Sequence, residues 1–318
     1  MIRIRTKIEI ILVVMFLVCV GIASVLSVNR TISDEKDDVI TYIRNSEGNY
    51  WSTNESNLQL AIWDLNSTAG GSIILPSCEI LISSSIDVIS NVTITGQGNH
   101  TILQVNSCSL PNGIFNCVTP PGFISFRDLN FLGDTATGIV NGICFCTDDD
   151  MIGLTVDNCV FKNFSKTTSA GIAILPNSDD DASNVRITYC DFIDNLYGIR
   201  CEGDADPSLI RCSTISNNYF YENFYGINFE YVSHIMVLNN IFDGGTNGMW
   251  LCEAQNCSFI NNMGYNLSMG IDEQCDTNYC SYMLNNFLNC VEGYDINGYN
   301  YKPYGETNFT AFNFGSWT

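Results

Sequence analysis

The sequence predicts an all-β protein, a right-handed parallel β-helix solenoid of about eight coils with an N-terminal capping helix and an N-terminal transmembrane anchor. Two repeated patterns predict this fold. Segments with paired asparagines (SNNYF, LNNIF, INNMG and LNNFL) recur at intervals of about 22 residues between Ser216 and Leu288. Segments that begin with a glycine recur at the same interval, at Gly226, Gly248, Gly270 and Gly293. Within each unit apolar residues alternate, which is typical of short strands with one buried face.

The asparagine pairs predict a column of stacked side chains inside the solenoid. Successive coils of such a fold lie about 4.8 Å apart, the ordinary spacing of strands. Amide side chains at equivalent positions then hydrogen-bond to one another along the stack. The predicted column is formed by Asn218, Asn240, Asn262 and Asn286, with Cys159 and Cys190 at the same position in earlier coils. The alternative is a chain that is simply rich in asparagine, and the matching glycine interval argues against it.

Residues 1–28 are predicted to be a membrane anchor. Arg3, Arg5 and Lys7 precede a long apolar run, so that residues 8–28 could span a bilayer. The basic side should stay in the cytoplasm, which gives a single-pass protein of the cell membrane with an extracellular domain. Protease added to intact cells should then remove that domain. A cleaved signal peptide is the competing interpretation.

The rest of the chain divides into three predicted segments. Residues 29–56 are polar and acidic and are expected to be a solvated tether. Residues 57–298 form the predicted β-helix, which opens with a helix over residues 58–65, because Leu58, Ala61, Ile62 and Leu65 have helical spacing. This helix would cap the first coil, whose apolar core is otherwise open. Residues 299–318 are expected to be a C-terminal cap or tail.

The chain resembles a known superfamily. The segments AIWDLNSTAGGSIILP and ISSSIDVISNVTITGQG look like the first part of pectin-lyase-like proteins, and the later coils look like the NosD-like β-helix repeats of archaeal and bacterial surface proteins. The resemblance covers residues 58–297. It implies the β-helix fold but not one function, because the superfamily includes polysaccharide lyases, glycoside hydrolases, viral tailspikes and non-catalytic surface proteins. The Gly-His-Gly pattern of polygalacturonases is absent from the sequence.

The chain has 15 cysteines, of which all but Cys19 follow the apolar run. In an exported domain they are expected to form disulfides. The predicted pairs flank corners of the coil or one loop: Cys201/Cys212, Cys252/Cys257, Cys275/Cys280 and Cys108/Cys117. Cys159 and Cys190 share one column, at a separation that also suits a disulfide. Free buried cysteine is the alternative for all of them.

The charge of the chain limits its partners. The formal net charge is −21, with 34 acidic and 13 basic residues. Nucleic acid and anionic membrane surfaces are therefore excluded as partners, and a polyanionic substrate fits poorly unless cations bridge it. Asn-x-Ser/Thr sequons, such as the one at Asn163, predict a glycoprotein. No cofactor is expected, although the aspartates at 148–150 and 179–181 leave open a Ca²⁺ site.

The glycine-led strands predict a polar face on the outside of the solenoid. If the residue after each glycine points inward, the second and fourth residues after it point outward. The second residues are Arg200, Asn228, Trp250, Asp272 and Asp295. The fourth residues are Glu202, Glu230, Cys252, Gln274 and Asn297. An aromatic ring beside hydrogen-bonding groups on a long, straight face is suited to a sugar polymer.

Three functions fit this face. The first is binding of polysaccharide or another cell-surface glycan without catalysis, through Arg200, Asn228, Trp250 and Asp295. The second is cleavage of a polysaccharide by a hydrolase or lyase, for which Glu202, Glu230 and Asp272 supply the carboxylates. Glu202 and Glu230 would lie near the separation of about 5–5.5 Å that retaining glycosidases use, and Glu230 and Asp272 near the about 6.5–9.5 Å of inverting ones. The third is a purely structural envelope or tailspike-like adhesion protein.

Overall fold

The computed structural model describes residues 42–66, 70–89, 91–118, 122–145, 151–176, 182–203, 210–275 and 277–296. The predicted membrane anchor, both aspartate runs and the C-terminal segment lie outside these residues, as do residues 29–41 of the predicted tether. Within the described ranges, no helix has the length and apolar character needed to cross a bilayer.

The described strands form three sheets, and the chain visits them in the same order in each coil. Sheet 1 contains β1 Ile43–Asn45, β2 Tyr50–Trp51, β3 Gly71–Ile74, β6 Val92–Thr95, β9 Ile124–Arg127, β12 Met151–Asp157, β15 Ala182–Thr188, β18 Ile210–Arg211, β19 Thr214–Ser216, β22 Val232–Ser233, β23 Met236–Leu238, β26 Ser258–Ile260 and β29 Ser281–Met283. Sheet 2 contains β4 Glu79–Ile82, β7 Ile102–Val105, β10 Asn130–Leu132, β13 Val160–Lys162, β16 Asp191–Ile193, β20 Tyr219–Tyr221, β24 Ile241–Asp243, β27 Met263–Tyr265 and β30 Asn286–Leu288. Sheet 3 contains β5 Ile86–Val88, β8 Phe115–Cys117, β11 Ile143–Phe145, β14 Ala170–Ile174, β17 Tyr197–Glu202, β21 Tyr225–Glu230, β25 Asn247–Cys252, β28 Met269–Gln274 and β31 Glu292–Ile296.

This topology is a parallel β-helix, as the sequence predicts. Every strand pair of sheets 2 and 3 is parallel, and each strand pairs with its equivalent in the next coil, for example β21 with β25. Equivalent residues therefore stack. Ile199, Ile227 and Met249 are in register on the inner face of sheet 3 and are fully buried. The core is a continuous column of such residues.

A helix closes the first coil, which confirms the predicted cap. Helix α1 spans Glu55–Asn66, and it buries Leu58, Ala61, Ile62 and Leu65 completely. It packs against β1, β3 and β5. The predicted tether is wrong in its last part, because β1 and β2 form a hairpin there, and β1 pairs antiparallel with β3. The apolar side chain of Ile43, fully buried, accounts for this difference.

A column of phenylalanines explains the glycine at the start of each strand of sheet 3. Rings in successive strands of sheet 2 stack face to face with centroids 4.7–5.1 Å apart, from Phe131 to Phe242. At Gly226, a β-carbon would lie 2.7 Å from the ring of Phe242 and 2.6 Å from the carbonyl oxygen of Gly248. Only a residue without a side chain fits there. The number of residues between successive glycines therefore equals the length of one coil.

The asparagine column is confirmed for three of its four predicted members. The side-chain amide of Asn218 donates to the side-chain oxygen of Asn240 at 3.0 Å, and that of Asn240 donates to the side-chain oxygen of Asn262 at 3.1 Å. The fourth member is Asn285, which accepts at 2.9 Å from Asn262, and the prediction of Asn286 is wrong. The last step is 23 residues, from Asn262 to Asn285, whereas the step to Asn286 would be 24 (286 − 262), and Asn286 begins strand β30 instead.

The first asparagine of each pair has a different role. Asn217, Asn239 and Asn261 have positive φ of 57°, 56° and 52°, a left-handed conformation that asparagine tolerates better than most residues. In the last coil, Leu284 has this conformation (φ 57°) and is exposed. The NN signature is therefore a left-handed turn followed by a column residue.

Leu284→Asn is expected to stabilise the protein. A left-handed conformation costs a branched apolar residue about 1–2 kcal/mol, and asparagine removes much of that cost, so the free energy of unfolding should rise by about 1 kcal/mol. Urea denaturation followed by circular dichroism would measure it. The reciprocal variant Asn217→Leu should have a free energy of unfolding that is lower by a similar amount. Destabilisation by Leu284→Asn would contradict this account of the turn.

Candidate functional site

The predicted polar face exists on the outside of sheet 3. Strand pairing places Arg200, Asn228, Trp250, Asp272 and Asp295 in one row across five successive strands. A second row contains Glu202, Glu230, Cys252 and Gln274. The structure thus brings the predicted binding and catalytic residues together on one sheet, whereas Asn297 lies outside the described residues. Neighbouring members of a row are separated by one strand spacing, about 4.8 Å.

A third row adds aromatic residues that sequence reasoning missed. Tyr197 and Tyr225 directly precede the glycines of β17 and β21, and their rings stack with centroids 5.2 Å apart. The Trp250 ring meets the Tyr225 ring edge-on, with centroids 6.4 Å apart. The ring of Phe224, which is 47% exposed, also meets the Tyr225 ring edge-on, with centroids 4.8 Å apart. A signal was present, because a tyrosine precedes both Gly198 and Gly226. These half-buried rings form a continuous aromatic strip.

We call the following residues of these rows the platform: Tyr197, Arg200, Glu202, Tyr225, Asn228, Glu230, Asn247, Trp250, Asp272, Gln274 and Asp295. Asn247 belongs to the same row as the two tyrosines, in the next strand. At the edge of the platform, a shallow depression runs along the corner between sheets 2 and 3 and is lined by Leu196, Phe224 and Thr246.

The single arginine of the platform is already paired. Arg200 forms a salt bridge with Glu202 two residues later, and its guanidinium also lies 5.4 Å from the Tyr197 ring. The ring supplies a cation–π contact and the carboxylate supplies charge, so Arg200 is oriented along the sheet. A negatively charged ligand would have to compete with Glu202 for it.

Asp272 is held in place by two amides. The side chain of Asn247 donates to one carboxylate oxygen at 2.8 Å, and that of Gln274 donates to the other at 2.5 Å. Asp272 is mostly buried by these neighbours. With both oxygens engaged, Asp272 is better suited to orienting polar groups than to attacking a substrate or transferring a proton.

The carboxylates of Glu202 and Glu230 occupy equivalent positions in adjacent strands. Burial raises the pKa of Glu230 above its usual value, and repulsion from Glu202 raises it further, while Arg200 acts in the opposite direction. Burial, followed by the nearby Tyr197 and Asp272, raises the pKa of Tyr225. Glu230 is therefore the carboxyl of this pair whose surroundings favour the protonated form.

One disulfide borders the platform. Cys252, at the end of β25, bonds to Cys275 in the next coil, with Cα atoms 5.0 Å apart. The predicted pairs Cys252/Cys257 and Cys275/Cys280 are therefore wrong. Equivalent corners of stacked coils lie one strand spacing apart, whereas the chain turns onto another sheet between Cys252 and Cys257.

The other predicted cysteine pairs are not bonded in the structure. Cys201 points into the core, in register with Phe229, whereas Cys212 is exposed, so their thiols diverge. Cys108 and Cys117 both carry free thiols, as do Cys159 and Cys190, which stack in one column. Cys144 is disulfide-bonded.

The comparisons with known proteins agree with the expected type of repeat. Residues 155–303 match the family model described as periplasmic copper-binding protein (NosD), which confirms the predicted NosD-like repeats. No curated protein shows significant sequence similarity to this chain.

Several solved structures are similar to the chain. One is the A-module of the mannuronan C-5 epimerase AlgE4 of Azotobacter vinelandii, with 14% identity over 76% of this chain and 93% of that chain and a TM-score of 0.40. Another is ORF18 of Geobacillus virus E2, with 13% identity, coverage of 73% and 58%, and a TM-score of 0.44. A third is the tailspike protein gp49 of the Acinetobacter baumannii bacteriophage Fri1, a capsular polysaccharide depolymerase, with 12% identity, coverage of 79% and 62%, and a TM-score of 0.38.

The family description raises the question of copper, and the described residues do not fit a copper centre. Among them, no group of three or more histidines, cysteines, aspartates or glutamates is arranged to hold a metal ion. The two histidines of the chain, His100 and His234, lie in exposed turns far apart in the sequence, and neither gathers further donors. Copper sites in proteins combine several imidazole or sulfur ligands, so we assign no metal chemistry to the platform.

Proposed function

We propose that this β-helix protein, pectin-lyase-like with NosD-like repeats, binds a polysaccharide along the platform of sheet 3. The observation that supports it best is the strip of Tyr197, Tyr225 and Trp250 in successive coils. Sugar rings present apolar C–H faces that pack on aromatic rings, and their hydroxyl groups need donors and acceptors beside those rings. The strip follows the solenoid axis, so it offers equivalent contacts to successive units of an extended polymer.

The polar groups beside the strip are suited to hydroxyl recognition. Asp272 is fixed by two amides, and Arg200 is fixed by Glu202 and Tyr197. Groups that are already oriented lose little conformational entropy when a ligand binds, which favours affinity. Asn228 lies in the same row, between Arg200 and Trp250, but it is only 7% exposed and offers a ligand little surface.

The charge of the platform indicates which sugars it accepts. Its carboxylates belong to Glu202, Glu230, Asp272 and Asp295, and its one cation is paired. The whole chain carries a net charge of −21. Both facts favour neutral or amino sugars over polyuronates, because an anionic chain would meet repulsion at each coil.

Trp250→Ala tests the binding surface. If the indole stacks on a sugar, its loss should weaken binding by about 1–3 kcal/mol, which is roughly 5- to 150-fold. Calorimetry with neutral, amino-sugar and uronate oligomers would measure this, after the best ligand is chosen from a glycan array. Tyr221→Ala is the matched control, because Tyr221 is an exposed aromatic residue on sheet 2, away from the platform.

Two results would count against the proposal. If the folded protein binds no glycan on a broad array, the proposal of polysaccharide binding is wrong. Equal affinities of wild type, Trp250→Ala and Tyr221→Ala for a bound glycan would move the site to another surface. Tight binding of a polyuronate, with Trp250 still required, would contradict only the selection by charge.

A second candidate function, cleavage of the bound polysaccharide, rests on Glu202 and Glu230. Carboxylates on adjacent strands approach the separation of about 5–5.5 Å that retaining glycosidases use. The raised pKa of Glu230 suits a general acid, and Glu202, which pairs with Arg200, is the second carboxylate.

Glu230→Gln separates the two functions. It keeps the shape of the side chain and removes the transferable proton, so an enzyme of this kind should lose at least about a hundredfold in turnover while it retains binding. Release of reducing ends from the bound polymer is the measurement, with Glu222→Gln, an exposed glutamate outside the platform, as the control. If wild-type protein releases no reducing ends from a polymer that it binds, binding without catalysis stands.

A further inference from the structure

The last described coils contain a group of buried reactive side chains that the platform does not use. Cys257 and Cys280 precede β26 and β29, and these strands pair with Ser258 opposite Ser281. The backbone N–H of Ser281 donates to the carbonyl oxygen of Cys257 at 2.9 Å. Cys257 and Cys280 are therefore equivalent residues in adjacent coils, and their Cα atoms are about one strand spacing, or about 4.8 Å, apart.

This placement matches a disulfide that the protein already has. Cys252 and Cys275, which are bonded, join the same two coils with Cα atoms 5.0 Å apart. The range of Cα separations that disulfides accept includes both distances. The Cys257 thiol donates to the carbonyl oxygen of Gln255 at 3.4 Å, and the Cys280 thiol donates to that of Ala254 at 3.5 Å, so both thiols lie at the same corner of the stack.

The surroundings favour a thiolate at this position. The hydrogen bond with Cys280 lowers the pKa of Cys257, and backbone groups of Ile235, Gln255 and His234 act in the same direction against burial. The hydrogen bond with Cys257, together with burial, raises the pKa of Cys280. Glu273 lies nearby, buried, and accepts a hydrogen bond from Tyr282 at 2.8 Å.

We propose that Cys257 and Cys280 are an oxidisable dithiol that closes into a second disulfide between the coils that Cys252 and Cys275 already join. The oxidant is a low-molecular-weight disulfide. One cysteine sulfur attacks it, a first thiol leaves, and a mixed disulfide forms. The other cysteine sulfur then attacks the mixed disulfide, and a second thiol leaves. Two electrons and two protons pass from the two cysteines to the oxidant, which is reduced to two thiols.

Cys280 is the member of the pair that an oxidant in solution can reach. Cys257 is almost fully buried, whereas Cys280 is partly exposed. Only Cys280 can meet the oxidant, so it forms the mixed disulfide, although its raised pKa slows this first attack; Cys257, whose pKa is lowered, then resolves it as the thiolate.

The pair Cys159 and Cys190 is an internal comparison. These cysteines also stack in adjacent coils, because the backbone N–H of Asp191 donates to the carbonyl oxygen of Cys159 at 2.9 Å. Both are almost fully buried, and burial raises the pKa of Cys190 well above its usual value. The stacking is the same but neither thiol is open to the oxidant, so this pair should react much more slowly.

The second disulfide should matter most when the first is missing. With Cys252 bonded to Cys275, closing Cys257 to Cys280 encloses only the short segments between the two bridges, and little chain entropy is removed. In a Cys252→Ser variant, the same bond encloses the whole coil. The dithiol would thus preserve the join between the coils that carry Trp250 and Asp272 after the outer disulfide is lost.

The test uses the folded full-length protein in buffers of reduced and oxidised glutathione. Samples taken over time are unfolded in excess alkylating reagent and mapped by mass spectrometry. We expect a peptide linked through Cys257 and Cys280 to accumulate several-fold faster than one linked through Cys159 and Cys190. In Cys280→Ala, the linked peptide should disappear and Cys257 should be recovered alkylated.

Thermal unfolding supplies the second measurement. Oxidation should raise the melting temperature clearly in Cys252→Ser and only slightly in wild type. The proposal is overturned if Cys257 and Cys280 are both recovered alkylated under oxidising conditions, or if Cys257 is linked to another cysteine such as Cys201. Formation of the linked peptide in Cys252→Ser without a rise in melting temperature would remove the role in joining the coils.

Discussion

Asn240→Ala is expected to lower the free energy of unfolding by about 3–6 kcal/mol, because it leaves several buried polar groups without partners. Asn240 is completely buried. Its side-chain oxygen accepts from the backbone N–H and the side-chain amide of Asn218, both at 3.0 Å. Its own amide donates to the carbonyl oxygen of Ile215 at 2.9 Å and to the side chain of Asn262 at 3.1 Å.

Each of these groups lies in the core, and each costs about 1–3 kcal/mol when water cannot replace its lost partner. The loss should appear as a lower midpoint of urea unfolding with an unchanged slope. Asn239→Gly is the matched control, since the neighbouring asparagine is exposed with φ 56°, a conformation that glycine accepts. If Asn240→Ala unfolds within about 1 kcal/mol of the wild type, the column is not a main source of stability.

Loss of the disulfide between Cys252 and Cys275 is the second large effect. The bond joins residues 23 apart in sequence, and the chain-entropy account of such a loop gives about 3 kcal/mol of stability. Cys252→Ser should therefore lower the free energy of unfolding by about that amount while Cys257 and Cys280 are still thiols. The wild type in reducing buffer should lose at least this amount, because reduction also breaks the disulfide of Cys144.

Glycan affinity should fall together with this stability. Trp250 and Asp272 lie on the two strands that the disulfide ties, so its loss loosens the spacing between them. Cys212→Ser is the control, because Cys212 is an exposed free thiol. A Cys252→Ser protein that is as stable as Cys212→Ser while Cys257 and Cys280 are still thiols would show that the bond does not constrain the coils.

The polar face illustrates what could be predicted of the site. Alternation after each glycine placed Arg200, Trp250 and Asp272 on one row, and the strand register confirms that row. The tyrosine row was not predicted, because the glycine makes the backbone depart from simple alternation just where Tyr197 and Tyr225 lie. The engagement of both Asp272 oxygens also depends on neighbours in other coils, which no local pattern reveals.

The sequence by itself determined which residues stack. Coils of nearly constant length place residues about 22 apart on top of one another, so periodic glycines, phenylalanines and asparagines define the columns and the faces directly. The helical spacing of Leu58, Ala61, Ile62 and Leu65 likewise determined the cap. These features follow from local backbone geometry and from the need to bury apolar side chains.

Only the tertiary structure decided the contacts at the corners. The disulfide partner of Cys252 is Cys275 rather than Cys257, and the last column residue is Asn285 rather than Asn286. The hairpin of β1 and β2 was also found only there. The physical reason is common to all three: corner and end segments vary in length and direction, so their partners are set by which chain segments lie next to them in space.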